Sequence, residues 1–345
     1  MVKPVECEII PFKAERTHTG GKKVNSIFQS KRYQSILAII CATGWSMAYP
    51  LIKVGYRIFR ISSDDLGGKL LFAGIRFLLA GLLVTVFCLG RKESLAVRKK
   101  KDLAWLALLA LVNTTLHYMF AYIGLSNNPS SRSTILDSMG GFFLIVLSAL
   151  LFEDDRLNKR KVIGCLMGLA GIVLINIEPG GGLFERITFT GDGMILLNAL
   201  CGAFGGIITR IVSKKMNMIS ATGHSMMLGG ALLILTGVFI GSKSSWNFPI
   251  RGVMVLTVLV LISAVCFVIY NELLSYHPIS EIAIYNALIP VLGVMFAAML
   301  LREPLKWQYF ASVFLVAIGI RVVNARDCQE KRQHQKQQPD DSGSR

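Results

Sequence analysis

The chain has 345 residues, of which 53% are apolar and only 17% are charged. A soluble domain carries about 25% charged residues, because polar side chains have to cover its surface. The mean hydropathy of +0.54 excludes disordered chains, disulfide-stapled scaffolds and ordinary soluble proteins. It indicates a protein whose outer surface is solvated by lipid.

The formal net charge of +16 raises the question of nucleic-acid binding. The 37 Lys and Arg residues cluster at the two tails and in short gaps between apolar runs, without a basic stripe interleaved with aromatics. The seven cysteines are scattered and form no Cys-x-x-Cys pair. We therefore expect a lipid bilayer as the surroundings, and no nucleic-acid partner, metal site or cofactor.

Apolar runs of helical length dominate the chain between two polar tails, residues 1–33 and 325–345. Each run has about the 17–25 residues that a helix needs to cross ~30 Å of hydrocarbon. None alternates polar and apolar residues as the strands of a membrane barrel do. The ten predicted spans are 34–54, 69–89, 102–124, 131–152, 161–178, 192–212, 219–241, 252–274, 279–301 and 306–324.

The distribution of cations predicts the orientation of these spans. With the N-terminus in the cytoplasm, the cytoplasmic segments hold 25 Lys and Arg residues and the opposite segments hold nine. Positive charge is enriched on the cytoplasmic side of membrane proteins. The sequence therefore predicts a multi-pass protein of the cell membrane with both termini in the cytoplasm.

The chain also carries signs of an internal repeat. A shift of 148 residues superimposes Tyr122 on Tyr270, Asp155 on Glu303, Gly171 on Gly319 and Asn176 on Asn324. Chance matching among apolar helices is the alternative interpretation. A genuine repeat would give two five-helix units, 34–178 and 192–324, and an odd number of helices places the second unit upside down. The predicted fold is an all-α polytopic membrane protein, with ten transmembrane helices as two inverted five-helix repeats.

Several short motifs follow one another in a set order along the spans. They are Gly44-Trp45-Ser46 with Pro50 and Lys53, Arg76-Phe77-Leu78-Leu79-Ala80-Gly81, Pro290, and Glu303-Pro304-Leu305 with Gly319. Together they resemble an EamA-type member of the drug/metabolite transporter superfamily, over about residues 34 to 324. Two positions depart from the usual pattern: Phe142 stands where a proline is common, and Gly202 where a bulkier residue is common.

The resemblance implies a secondary carrier or exporter of small metabolites, with a central cavity between inverted halves. Amino acids and related compounds are the first substrates that it suggests. Coupling to protons is a further hypothesis, and the oligomeric state stays open, with a homodimer among the alternatives.

Three ionisable residues within spans are the main candidates for this chemistry. A charge at membrane depth costs about 2.5–3.5 kcal/mol or more, so Asp137 should face a cavity or a partner. It is either a site for a cation, a proton or a substrate amine, or a group near the interface bonded to Ser133 or Ser138. His117 is either a proton carrier or a neutral packing residue. Arg76 either extends to the headgroups, pairs with Asp137 or binds an anionic substrate group.

Aromatic and amide side chains complete the predicted site. Aromatic rings can form the flat walls of a pocket, although plain packing is their commoner role, and an amide in lipid needs a partner on another helix, in water or on a ligand. The candidates are Trp45, Tyr122, Tyr270 and Tyr285, with the amides Asn113, Asn198 and Asn286. Pro290 is predicted to bend its helix.

Other classes of function have less support in the sequence. The sequence contains no phosphate-binding Gly-x-x-x-x-Gly-Lys segment, no His-Glu-x-x-His and no Gly-x-Ser-x-Gly, which argues against an ATP-driven pump and an intramembrane enzyme. A non-transporting sensor or assembly subunit is the remaining alternative. The short tails offer little room for a signalling domain.

Overall fold

The computed structural model describes residues 27–91, 100–151, 159–175, 187–244, 248–277, 282 and 284–324, and every regular element within these ranges is helical. Most of residues 1–33 and all of 325–345, which were predicted as polar tails, lie outside the described residues. In the first part of the chain the helices are α1 (Lys31–Ile58), α2 (Leu66–Gly90), α3 (Lys100–Ala110), α4 (His117–Asn127), α5 (Ser130–Asp137), α6 (Met139–Leu151) and α7 (Lys159–Ile175).

The regular elements described in the second part of the chain are also helical. Its helices are α8 (Met194–Ser213), α9 (Met218–Ile240), α10 (Ile250–Tyr276), α11 (Leu288–Leu301) and α12 (Trp307–Asn324). A π-helical segment, Leu111–Leu116, joins α3 to α4, and another, Phe189–Gly193, leads into α8. A 3-10 turn, Ile284–Ala287, precedes α11.

Seven of the described helical stretches are long and apolar enough to cross a membrane. They are Tyr33–Ile58, Leu66–Gly90, Lys100–Asn127, Ser130–Leu151, Phe189–Ser213, Met218–Ile240 and Ile250–Tyr276. The other three predicted spans correspond to shorter described helices, α7, α11 and α12. The chain is a polytopic helical membrane protein.

The outward faces of the long helices are apolar. Phe239 and Leu235 on α9 are 92% and 65% exposed, and Val86 on α2 is 63% exposed. Contiguous apolar stripes of this kind cause association in water, whereas lipid chains solvate them. The exposed surface therefore agrees with the composition of the sequence.

Glycines bring α2 and α9 into direct backbone contact. Gly67, Gly74 and Gly81 repeat every seven residues on α2, and Gly223, Gly230 and Gly237 do so on α9. A Cβ atom on Gly74 would lie 2.8 Å from the carbonyl oxygen of Gly230, and one on Gly230 would lie 2.9 Å from that of Gly74. Without the driving force of water, helices in lipid associate through such close packing of small residues.

A second close contact joins α7 to α12. A Cβ atom on Gly319 would lie 2.6 Å from the carbonyl oxygen of Gly164. In both contacts a helix from the first part of the chain packs against a helix from the second part. The two parts therefore share their packing surfaces instead of forming separate bundles.

At one end of the bundle, the carboxylate of Asp65 joins the start of α2 to the segment after α9. Asp65 caps the N-terminus of α2 by accepting a hydrogen bond from the backbone N–H of Gly68 (2.8 Å), and it also accepts from the N–H of Lys243 (3.1 Å) and the hydroxyls of Ser242 and Ser244. Burial raises the pKa of Asp65, and these hydrogen bonds more than offset that effect, so its pKa lies below the usual value.

We expect Gly74→Ala to lower the stability of the protein by about 1–3 kcal/mol, because the added methyl group forces α2 and α9 apart. The measurement is the unfolding midpoint of the protein in detergent. The matched control is Gly90→Ala, since a Cβ atom there meets nothing within 4 Å. That change should leave the midpoint unaltered or raise it slightly. Equal effects of the two substitutions would show that the glycine contact is not tight.

We also expect the contribution of Asp65 to stability to depend on pH. Because its pKa is lower in the folded protein, its stabilising effect is fully present above about pH 3.9 and is lost as the pH falls through the folded value. Asp65→Asn should therefore be less stable than the wild type at pH 7, and the gap should narrow below about pH 4. The readout is the unfolding midpoint at several pH values. Asp64→Asn is the control, because the Asp64 side chain is 66% exposed and exposed ion pairs contribute little.

Candidate functional site

A cavity of about 150 Å³ lies among the helices of the bundle, with walls from α1, α2, α4, α5, α6, α8, α10, α11, the π-helical segment before α4 and the turn before α11. A water molecule needs about 10–15 Å³ of such space. The cavity therefore has room for a solute of roughly ten to fifteen non-hydrogen atoms.

Three segments that interrupt regular α-helix border this cavity. The π-helical segment Leu111–Leu116 carries Asn113, a single turn residue, Ser138, separates α5 from α6, and the 3-10 turn Ile284–Ala287 carries Asn286. All three side chains line the cavity. Non-helical backbone is tolerated at membrane depth only where it is buried in protein or borders a polar space. Interruptions of regular α-helix are frequent at functional sites, and three of them border this cavity.

Asp137, the last residue of α5, lies at the centre of a polar network. Its carboxylate accepts a hydrogen bond from Nδ2 of Asn198 on α8 (2.6 Å) and another from the hydroxyl of Tyr49 on α1. The Asn198 amide also donates to the Tyr49 hydroxyl (3.2 Å). Side chains of α1 and α8 therefore hold this acid of α5 in place. Neither Ser133 nor Ser138, the neighbours considered from the sequence, is its partner.

His117 joins the same network through the backbone. Its Nδ1 lies 2.9 Å from the carbonyl oxygen of Asn198, and because a carbonyl only accepts, Nδ1 carries the proton in this contact. The ring lines the cavity beside Gly202, where a Cβ atom would lie 3.0 Å from Cε1 of His117. The glycine that departs from the family pattern therefore makes room for the imidazole.

Arg76 on α2 also faces the cavity. Its side chain is 1% exposed, and its Nε donates to the hydroxyl of Ser263 (2.7 Å) and to the carbonyl of Leu259 (3.3 Å) on α10. Nη1 donates to the hydroxyl of Tyr122 (3.2 Å). The guanidinium group is thus directed into the bundle and does not extend to the headgroups. Within the part of the chain that the structure describes, no ion pair joins it to Asp137.

Aromatic rings form one wall of the cavity. Trp45 packs edge-on against Tyr270 and Phe267, with ring centroids 4.8 Å and 5.8 Å apart. The Tyr270 hydroxyl accepts a hydrogen bond from Nδ2 of Asn286 (3.2 Å). The indole Nε1 of Trp45 is buried without a partner among the described residues. An unpaired buried donor beside a cavity is suited to an acceptor on a ligand.

The structure brings most of the predicted site residues together, but not all of them. Tyr122 is fully buried behind Arg76, and Tyr285 donates to or accepts from the Ser35 hydroxyl at 2.5 Å; neither lines the cavity. Asn198 acts through Asp137 and His117 from just behind the wall. Pro290 is the third residue of α11, where its missing N–H removes no intrahelical bond, and the change of helix type precedes it.

The site predicted from the sequence does not include two of the tyrosines that line the cavity. Tyr49 and Tyr118 line the cavity, and Tyr49 bonds the central acid. Each is an aromatic residue within an apolar run, so it resembles ordinary packing in the sequence. The available signal was spacing: Tyr49 lies four residues after Trp45, on the same face of α1.

Two further carboxylates secure the end of the bundle next to α5. Glu303, just after α11, accepts hydrogen bonds from the backbone N–H groups of Ser130 (2.8 Å) and Ser131 (3.0 Å) and lies 3.9 Å from Nζ of Lys53. Asp192 pairs with Arg132, with Nε and Oδ1 2.7 Å apart. The first turn of α5 is thus fixed from two directions.

No group of three or more metal-ligating side chains was found among the described residues.

Comparison with known proteins gives the family. The model of the EamA-like transporter family matches residues 33–177 and again residues 189–325, which together make up most of the chain. The chain belongs to the EamA-like transporter family. It is therefore a multi-pass membrane transporter and not an enzyme, and the transported solute is a small molecule.

Relatives of this EamA-like transporter carry similar names. It is 27% identical over 307 residues to the "Uncharacterized transporter YvbV" of Bacillus subtilis, which covers 87% of this chain and 94% of the relative. It is 23% identical over 302 residues to the "Probable amino-acid metabolite efflux pump" of Salmonella typhimurium, covering 84% and 94% of the two chains. A solved structure titled only "Crystal structure of protein" has the same fold, with a TM-score of 0.65, 17% identity and coverage of 86% of this chain and 98% of the other.

A substitution at Gly141 tests whether solutes bind in the cavity of this EamA-like transporter. Gly141 lines the cavity, and a Cβ atom there meets nothing within 4 Å. We expect Gly141→Leu to fold normally and to weaken binding of the larger solutes by about tenfold or more while sparing the smallest, because its side chain fills part of the space. Ligand-induced thermal shifts across solutes of graded size provide the measurement.

The control for this change is Gly90→Leu, at an exposed position where a Cβ atom meets nothing within 4 Å. It should leave the size profile as in the wild type. An unchanged profile in Gly141→Leu would place the solute path outside this cavity.

Proposed function

We propose that the protein is a secondary transporter that moves a small metabolite through the central cavity by alternating access. The observation that carries this proposal is Asp137, a carboxylate on the wall of a cavity within the bundle, held by Asn198 and Tyr49 from two other helices. Acidic groups at membrane depth are costly and mark solute or proton pathways. Amino acids and related metabolites are the proposed substrates, in keeping with the name of the Salmonella relative.

The proposed architecture is ten transmembrane helices in two inverted five-helix units, residues 34–178 and 192–324. The double match of the family model supports it, as do the contacts of α2 with α9 and of α7 with α12. A site between two such units becomes accessible to each side in turn when one unit rocks against the other. No covalent change in the solute is needed.

In the proposed orientation both termini are in the cytoplasm of a cell membrane protein, in line with the excess of cations in the segments that would lie on that side. The end that carries Asp65, Asp192 and Glu303 then faces outward. Hydrogen bonds between helices hold this end together, which supports a conformation in which the cavity is closed to the outside.

The proposal is tested by counterflow of radiolabelled amino acids in proteoliposomes that contain the full-length protein. We expect saturable exchange by the wild type and a loss of about tenfold or more in Asp137→Asn, because the amide cannot serve as the counter-charge. Asp64→Asn, at an exposed position, is the matched control and should exchange normally. A sensor or an assembly subunit gives no exchange with any solute, and that outcome would overturn the proposal.

Proton coupling is examined in the same vesicles. We infer that a proton is carried by the network of Asp137 and His117, so an imposed pH gradient should drive net uptake. Equal uptake with and without the gradient would remove the coupling from this proposal and leave the carrier in place.

A further inference from the structure

Several N–H donors of the Arg76 guanidinium group have no hydrogen-bond partner among the described residues. Its five N–H donors are arranged in a planar fork, and the group stays charged at every physiological pH. The bonds to Ser263 and Leu259 use the Nε–H, and the bond to Tyr122 uses one N–H of Nη1. The second N–H of Nη1 and both of Nη2 therefore have no partner among the described residues.

All three of these partners are neutral oxygen atoms. A buried charge that lacks a counter-ion is strongly destabilising in a protein interior. Asp137 lines the same cavity and accepts hydrogen bonds from Asn198 and Tyr49, but within the described residues it is not within ion-pair distance of Arg76. Arg76 therefore lacks a counter-ion among the described residues, and an anion bound in the cavity would supply one.

The surroundings of Arg76 hold the fork in one orientation. Ser263 and Tyr122 bind Nε and Nη1, and Cζ lies 4.9 Å from the ring centre of Phe77 and 5.7 Å from that of Tyr118. The unengaged N–H groups of Nη1 and Nη2 remain for a ligand. Two parallel N–H donors match the two oxygen atoms of a carboxylate.

We propose that Arg76 is the subsite that binds the carboxylate of the transported solute. This inference rests on the proposed transport function and adds the chemical group by which the solute is recognised. Arg76 is the one Lys or Arg residue among the described residues of the cavity wall, so the site balances one negative charge and not a phosphate dianion. The ammonium group of an amino acid is then available to Asp137.

The test compares matched solutes that differ only in the acid group. Thermal shifts and counterflow of the full-length protein are measured with the twenty common L-amino acids, with 3-phenylpropionate and with glucose, and each amino acid that binds is measured again as its carboxamide. We expect carboxylates to bind the wild type about 10- to 100-fold more tightly than their carboxamides, since hydrogen bonds to charged groups are strong.

Arg76→Gln and Arg76→Lys provide the variants. In Arg76→Gln the ratio of acid to carboxamide affinity should fall to about one, and in Arg76→Lys it should be intermediate because a lysine lacks the fork. This ratio is measured within one variant, so a general loss of stability does not alter it. Ser263→Ala, which leaves the cavity edge of the fork intact, should retain most of the discrimination.

The outcomes separate the two proposals. Exchange that is equally fast for acids and carboxamides, or an affinity ratio that survives in Arg76→Gln, would overturn the Arg76 subsite and leave the transporter standing. The absence of exchange for every solute would overturn the transport function and this inference with it.

Discussion

The contact between α2 and α9 determines the geometry of everything around the cavity. Its glycines bring backbone against backbone, so neither helix can rotate without a clash. Gly74 faces α9, and Arg76 lies two residues further on, about 200° around the helix. The packing that fixes Gly74 against Gly230 therefore directs the Arg76 side chain to the opposite face, toward α10 and the cavity.

The same reasoning explains why the polar groups within the bundle are satisfied by distant partners. Lipid offers no hydrogen bonds, so a polar side chain bonds either a carbonyl of its own helix, as Thr222 does with Met218, or a partner on another helix. Asp137 finds Asn198 and Tyr49, and Asn271 donates to the Thr222 hydroxyl (2.9 Å). These bonds specify which helices are neighbours, whereas the apolar side chains are interchangeable with lipid. The polar residues thus define both the assembly and the site.

Much of this fold could be predicted from the sequence, because the transfer of a helix into lipid depends mainly on length and composition. The functional importance of Asp137 and Arg76 remains a prediction, although the structure places both on one cavity wall. The direction of a side chain within a span is harder to predict, since an apolar face is not distinguishable from a buried one. This is why Tyr122 was expected to line the cavity and Tyr49 was not, whereas the structure has Tyr49 on the cavity wall and Tyr122 behind it. The change from α-helix to π-helix at Leu111–Leu116 depends on packing between helices and leaves no local sequence signal.

Helix α5 connects the end of the bundle to its centre. Its first turn is bound by Glu303 and its last residue is Asp137, about 10 Å away at the rise of an α-helix. Eight hydrogen-bonded residues behave as a rigid rod. We therefore expect a displacement of Ser130 away from Glu303 to move the acid in the cavity as well. The loop after α11 and the central carboxylate are connected through one short helix.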